Sequence, residues 1–196
     1  MKRFFTCLFI SMMIAASAFS ATEKERKFFG FQFSLGSGYP FYGEKDIDDN
    51  HDKMNSNHYN RFIICGDIGF TLKIADPLFF VGSFETMSDF VWNNDYNCNH
   101  IDFAFLGGLQ FYPGWANFSF NLAYAIGMRG DFVKTDSGYK DLQECKWGNG
   151  FRMGVEYDFK KGGGVIPIVG TYWRFMPRGY LNYDNILGIY FRLAVR

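Results

Sequence analysis

The chain is short of the usual fasteners. Its 196 residues hold 4 Cys and 5 Pro, and its 20 Lys and Arg are balanced by 20 Asp and Glu. So few cysteines, one of them at position 7, do not build a disulfide scaffold. The absence of a basic surplus argues against a nucleic-acid binder. Beyond residue 21 no apolar run reaches the ~18 residues that a membrane-spanning helix needs. Mean hydropathy is slightly negative, a value that fits either a water-soluble domain or a structure whose two faces cancel in the average. Aromatics, by contrast, are abundant, at 21% of the chain with 25 Phe, 12 Tyr and 4 Trp.

The first twenty residues differ from the rest. Met1-Lys2-Arg3 is followed by an apolar stretch from Phe4 to about Phe19, ending on the small residues Ala16-Ser17-Ala18 and Ser20-Ala21. A basic start, a short apolar core and a small-residue cleavage zone read as a secretory signal peptide over 1–20. The remainder, 21–196, is the size of one domain. With Lys2 and Arg3 removed, 18 basic residues face 20 acidic ones.

That remainder alternates with a period of two. In Phe29-Gly30-Phe31-Gln32-Phe33-Ser34-Leu35-Gly36 every odd position is bulky and apolar, and every even one is Gly, Gln or Ser. Period two means a strand with unlike faces. Seven further stretches follow the rule, at about 61–73, from Leu78 through Glu85, at 100–112, from Phe118 through Arg129, and at 147–159, 165–175 and 186–196. The connections at 43–60, 87–99, 130–146 and 176–185 are long or polar, and those between them are tight turns. Long loops at one end and short turns at the other, with an even strand number, predict an all-β fold. It is an eight-stranded antiparallel transmembrane β-barrel, an up-and-down meander with periplasmic termini. The competing arrangement is a soluble eight-stranded barrel with its apolar face inward around a ligand. The many Phe rings are too bulky for so narrow an interior, whereas Gly and Ala suit a crowded lumen.

On the membrane reading the inward charges are Arg61, Asp67, Lys73, Glu85, Asp102, Arg129, Arg152, Glu156, Asp158, Arg174 and Arg192. An eight-stranded barrel is only wide enough for side chains to fill, and unpaired buried charge is expensive, so a salt-bridged plug is expected. Counting depth along each strand pairs Asp67 with Arg152 and sets Glu85 level with Arg192. Ile63, Phe79, Val81, Leu106, Ile166 and Ile168 interrupt the polar face.

Other features carry less. Asp46-Ile47-Asp48-Asp49-Asn50 resembles the start of a calcium loop, but His51 replaces its Gly and Asn57 its bidentate Glu, so a solvated acidic loop is expected. His51, His58 and His100 lack metal spacing, and no cofactor is expected. Cys98 and Cys145 fall in adjacent outer loops, where they either join in the oxidising compartment or stay free, and Cys65 faces the lumen. His100 near the outer rim has no His-x-Ser pairing or other compact set for hydrolysis, so the chain is expected not to be an enzyme.

The last strand, Gly188-Ile189-Tyr190-Phe191-Arg192-Leu193, resembles the carboxy-terminal assembly signal of small outer-membrane proteins, the OmpA-transmembrane, OmpX and OmpW/OprG groups. It departs from that signal by ending Ala194-Val195-Arg196 and by placing Ile186 where a polar residue is usual. The resemblance implies the outer membrane of a Gram-negative-type bacterium, lipid as a partner, insertion by the barrel-assembly machinery and a monomer. For the OmpW/OprG group it also implies uptake of small hydrophobic solutes through a lined lumen with a sideways exit. Three functions stay open: limited passage of small or hydrophobic solutes, adhesin-like binding of a host ligand through the long outer loops, and structural anchoring. Nucleic acid is not among the expected partners.

Overall fold

The computed structural model describes residues 28–43, 47, 59–94, 97–114, 117–135, 138–159, 164–179 and 182–195. The segment expected to be a signal peptide, 1–20, and most of the acidic loop at 44–52 lie outside the described residues. The eight strands are β1 (Phe29–Tyr42), β2 (Asn60–Ala75), β3 (Leu78–Trp92), β4 (Asn97–Phe111), β5 (Phe118–Thr135), β6 (Gly138–Asp158), β7 (Val165–Pro177) and β8 (Tyr183–Val195). Each pairs with the next, and β1 closes on β8, so the sheet is a closed barrel without a crossover.

The alternation sets which face is which. Phe31, Ile68, Phe105 and Ile189 are about 60% exposed on the outer face. Gln32, Ser34, Arg129, Arg174 and Arg192 are buried inside. This is the inverse of a soluble ligand-binding barrel. Apolar side chains at that exposure are unfavourable in water and at home against hydrocarbon, and closure leaves no unpaired edge around the ring.

Two connections expected to be loops are strand instead. β3 runs through 87–92 and β4 begins at Asn97, while β5 and β6 continue to Thr135 and Gly138. From Phe84 to the end of β3 the alternation holds: Met87, Asp89 and Val91 are buried, and Ser88, Phe90 and Trp92 are more exposed. Polar residues on both faces hide the pattern where the strands rise towards the headgroups. The rim is also uneven, since β6 pairs with β7 only over Phe151–Asp158 although it starts at Gly138.

The lumen is narrowed where glycines face tyrosines. Tyr172 stands opposite Gly188, and Gly170 opposite Tyr190. A Cβ on Gly188 would lie 2.2 Å from the Tyr172 ring, and one on Gly170 2.4 Å from the Tyr190 ring. The missing side chains let both rings lie flat across the neighbouring strand.

Candidate functional site

The lumen is filled by ion pairs. Near the inner end Glu156 on β6 accepts hydrogen bonds from Gln110 (2.6 Å), Asn121 (3.3 Å) and the Tyr190 hydroxyl (2.6 Å), and it pairs with Arg192. The Arg192 guanidinium crosses to Asp67 at 2.9 Å, which also accepts the Ser34 hydroxyl at 2.5 Å. At mid-height Glu85 receives Arg152 at 3.1 Å and Arg174 at 3.0 Å, and Arg174 extends to Asp102 at 2.5 Å. Arg152 lies 4.3 Å over the Tyr172 ring, and Arg192 lies 4.7 Å over Tyr190.

A second tier occupies the outer third. Arg178, just beyond β7, folds inward to both Asp102 and Asp184 and donates to the Lys146 carbonyl at 2.9 Å. Arg129 pairs with Asp184 at 2.5 Å and with Asp131 at 3.0 Å. His100 Nδ1 is 2.6 Å from Asp131 Oδ1, and its Nε2 is 3.3 Å from Cys98 Sγ. To one side Arg61, half-buried, binds Asp89 through Nε (2.9 Å) and Nη2 (2.7 Å), and the Tyr42 hydroxyl donates to the same carboxylate at 2.9 Å.

Of the charges expected in the lumen, Asp67, Glu85, Asp102, Arg129, Arg152, Glu156, Asp158, Arg174 and Arg192 are buried. Arg61 is only partly buried, and Lys73 reaches Asp76 of the β2–β3 turn at 2.7 Å. The partners across the lumen are exchanged. Asp67 takes Arg192, and Arg152 takes Glu85. Counting depth along each strand ignores the stagger that closes a barrel. The true row runs from Arg192 through Ser34 to Asp67 and Glu85, each directly paired with the next. Asp89, Asp131, Arg178 and Asp184 were missed because they lie in stretches read as loop or beyond the clear alternation. The Cys98–Cys145 bond, one of two alternatives, is not formed. Cys98 is buried beside His100, whereas Cys145 is exposed opposite Gly130 of β5, with a strand between the two thiols. Among the described residues no group of His, Cys, Asp or Glu is placed to hold a metal ion.

The wall opens between β1 and β2. β1 and β2 pair only up to Gly36 and Cys65, although β1 continues to Tyr42 on β8 and β2 reaches Asn60 on β3. Above that point the two strands flank a cleft of about 520 Å³ lined by Gly36, Ser37, Tyr39, Arg61, Phe62, Ile63 and Ile64. The Ser37 hydroxyl donates across it to the Ile63 carbonyl at 2.8 Å, and Arg61 lies 4.8 Å over Tyr39.

No protein-family model matches the sequence, and no curated protein matches it. Solved structures do match the fold. Ail, the attachment invasion locus protein of Yersinia pestis, superposes with a TM-score of 0.53 at 8% identity, covering 84% of this chain and 97% of Ail. Neisserial surface protein A aligns at 0.47 and 11% identity, over 87% of this chain and 99% of that one. The outer membrane protein OprG from Pseudomonas aeruginosa aligns at 0.38 and 10%, over 86% and 95%. By its superposition on Ail, its strand order and its outward apolar face, this chain has the fold of the small eight-stranded outer-membrane β-barrels.

Proposed function

We propose that this protein is a closed outer-membrane barrel that works through its outer rim, an adhesin-like surface protein and not a pore. One observation carries the reading. Glu85, Asp102 and Asp184 are each held by two arginines, so the ion pairs run across the lumen from mid-height to the mouth. Moving a solute through would separate buried charges, each at a cost of several kcal/mol. The uneven rim, tallest along β5 and β6, offers a strand-built surface above the membrane. In this reading the partners are outer-membrane lipid around the barrel, the assembly machinery during insertion and a host ligand at the rim.

Two measurements test it. The refolded protein in planar bilayers is expected to show no large steady conductance, and an open, voltage-independent current overturns the sealed lumen. Bacteria displaying the barrel are expected to bind immobilised host-matrix protein. Shortening the β5–β6 hairpin around 132–141 should abolish that binding while heat-modifiable mobility is retained. Equal binding by the shortened form rules out the rim.

A second reading is favoured by the β1–β2 gap. Its lining includes the outward-facing Tyr39, Phe62 and Ile64, as sideways passage of a small hydrophobic solute would need. Liposome uptake of such a solute, compared with uptake after a disulfide joins β1 to β2 above Gly36, separates this route from the first.

A further inference from the structure

We propose that Cys98, His100 and Asp131 form a nucleophilic thiol site at the outer mouth of the barrel, one that takes an acyl group from a small hydrophobic ester. The three stand in the order such chemistry needs: nucleophile, base, orienting carboxylate. Cys98 and His100 are two apart on β4, so both side chains enter the lumen, with Sγ 3.3 Å from Nε2. Across the ladder His100 is paired with Asp131, whose Oδ1 lies 2.6 Å from Nδ1. When Nδ1–H donates to that carboxylate, Nε2 presents its lone pair to the thiol. Arg129 grips the same carboxylate through Nε and Nη2 at 3.0 and 3.1 Å, which fixes its orientation.

The other neighbours of Cys98 point to the substrate class. Val91, Val133 and the half-buried Tyr59 pack around it, so the groups nearest the thiol are apolar and disfavour a charged substrate. Cys98 is 1% exposed and Tyr59, just outside β2, is the partly buried member of its apolar shell, so an ester must displace that side chain to reach the thiol. The site departs from the non-enzymatic expectation. Its third member lies 31 residues from His100, beyond any local motif.

The step balances. His100 Nε2 takes the thiol proton as Sγ adds to the ester carbonyl carbon. The C–O bond then breaks, the departing alkoxide takes the proton from Nε2–H, and a thioester remains on Cys98. Water, deprotonated by Nε2, then cleaves the thioester, releasing the carboxylic acid and restoring the thiol.

The test uses the full barrel refolded in detergent, in a Cys65→Ala/Cys145→Ala background, with p-nitrophenyl butyrate as probe. A stoichiometric burst of p-nitrophenolate and a single butyryl group on the Cys98 peptide by mass spectrometry are expected. His100→Gln should slow the burst by about 100-fold or more, the usual contribution of a general base. Asp131→Asn, which alters a positioning residue, should displace the pH–rate profile, an effect that a purely structural loss would not produce. Should either variant fail to fold, the wild-type barrel with iodoacetamide decides the question, because Cys98 should be alkylated faster than the other buried thiol, Cys65. A Cys98 that carries no butyryl group, or that reacts no faster than Cys65, overturns the proposal.

Discussion

Arg152 on β6 and Arg174 on β7 stand directly opposite each other in the ladder, and both guanidiniums converge on the Glu85 carboxylate at 3.1 and 3.0 Å. Like charges facing each other across a pair of strands repel. The arrangement persists because Glu85 reaches across the lumen from β3 and neutralises them. The acidic side mirrors this, since Asp67 and Glu85 are themselves cross-strand neighbours. Each wall is therefore unfavourable alone, and closing the barrel brings the two together.

Glu85→Gln is the sharpest test of that coupling. It leaves two buried guanidiniums side by side without their shared anion, and breaking a buried pair costs about 3–5 kcal/mol. The temperature at which the folded band is lost in a heat-modifiability gel should fall well below that of the wild type. Adding Arg152→Gln to the same chain should restore much of the loss, because Arg174 keeps Asp102. A double variant as unstable as the single one would refute the coupling.

Much of this barrel is legible from residue order, for a physical reason. Bilayer and lumen demand opposite chemistry, so Phe118 to Arg129 alternates without exception, and strand number and facing follow. Pairing across the lumen is a different matter. It depends on stagger, which is fixed by ring closure and leaves no periodic trace, so depth along the strands alone assigns Asp67 and Glu85 each the other's arginine. The outer ends failed for a third reason. Near the headgroups both faces tolerate polar side chains, so Ser88, Asp89, Asp131 and Asp184 carry no amphipathic signal although they sit on strands.

Glycines separate lumen packing from lipid contact. Gly188→Ala places a Cβ where the Tyr172 ring lies, 2.2 Å away, and overpacking of this kind costs about 1–3 kcal/mol. Gly107 has nothing within 4 Å of a built Cβ, so Gly107→Ala should be neutral or stabilising by about 0.5–1 kcal/mol. Urea-induced unfolding of the two variants in lipid vesicles measures the contrast, and equal midpoints would contradict the ring-over-glycine packing.

The outward face makes its own prediction. Phe105 is 60% exposed and lies mid-strand, paired with Phe84 and Ile126. Phe105→Arg should cost about 2–4 kcal/mol if the residue lies near the bilayer midplane. The same change at Trp92, on the outer end of β3, should cost about 0–1 kcal/mol. Refolding yields into vesicles, compared between the two variants, report the depth. No difference between them would mean that water, not lipid, surrounds the Phe105 face.

Arg178 offers a graded counterpart to Glu85. It is the one arginine of the network outside a strand, followed by Gly179 at φ 127°, a backbone shape that favours glycine and turns the chain at the mouth. Its guanidinium joins Asp102 to Asp184, yet each keeps a second arginine, Arg174 and Arg129 respectively. Arg178→Ala therefore removes charged hydrogen bonds without stranding an anion, at a cost of about 1.5–3 kcal/mol, less than Glu85→Gln. It also removes the hydrogen bond that ties the β7–β8 connection to the Lys146 carbonyl. Hydrogen exchange at the outer ends of β6 and β8 should accelerate in this variant, while the Glu156 end of the lumen keeps its protection. Uniform acceleration along the whole barrel would mean that the two tiers unfold as one, and that Arg178 is not a local fastening of the mouth.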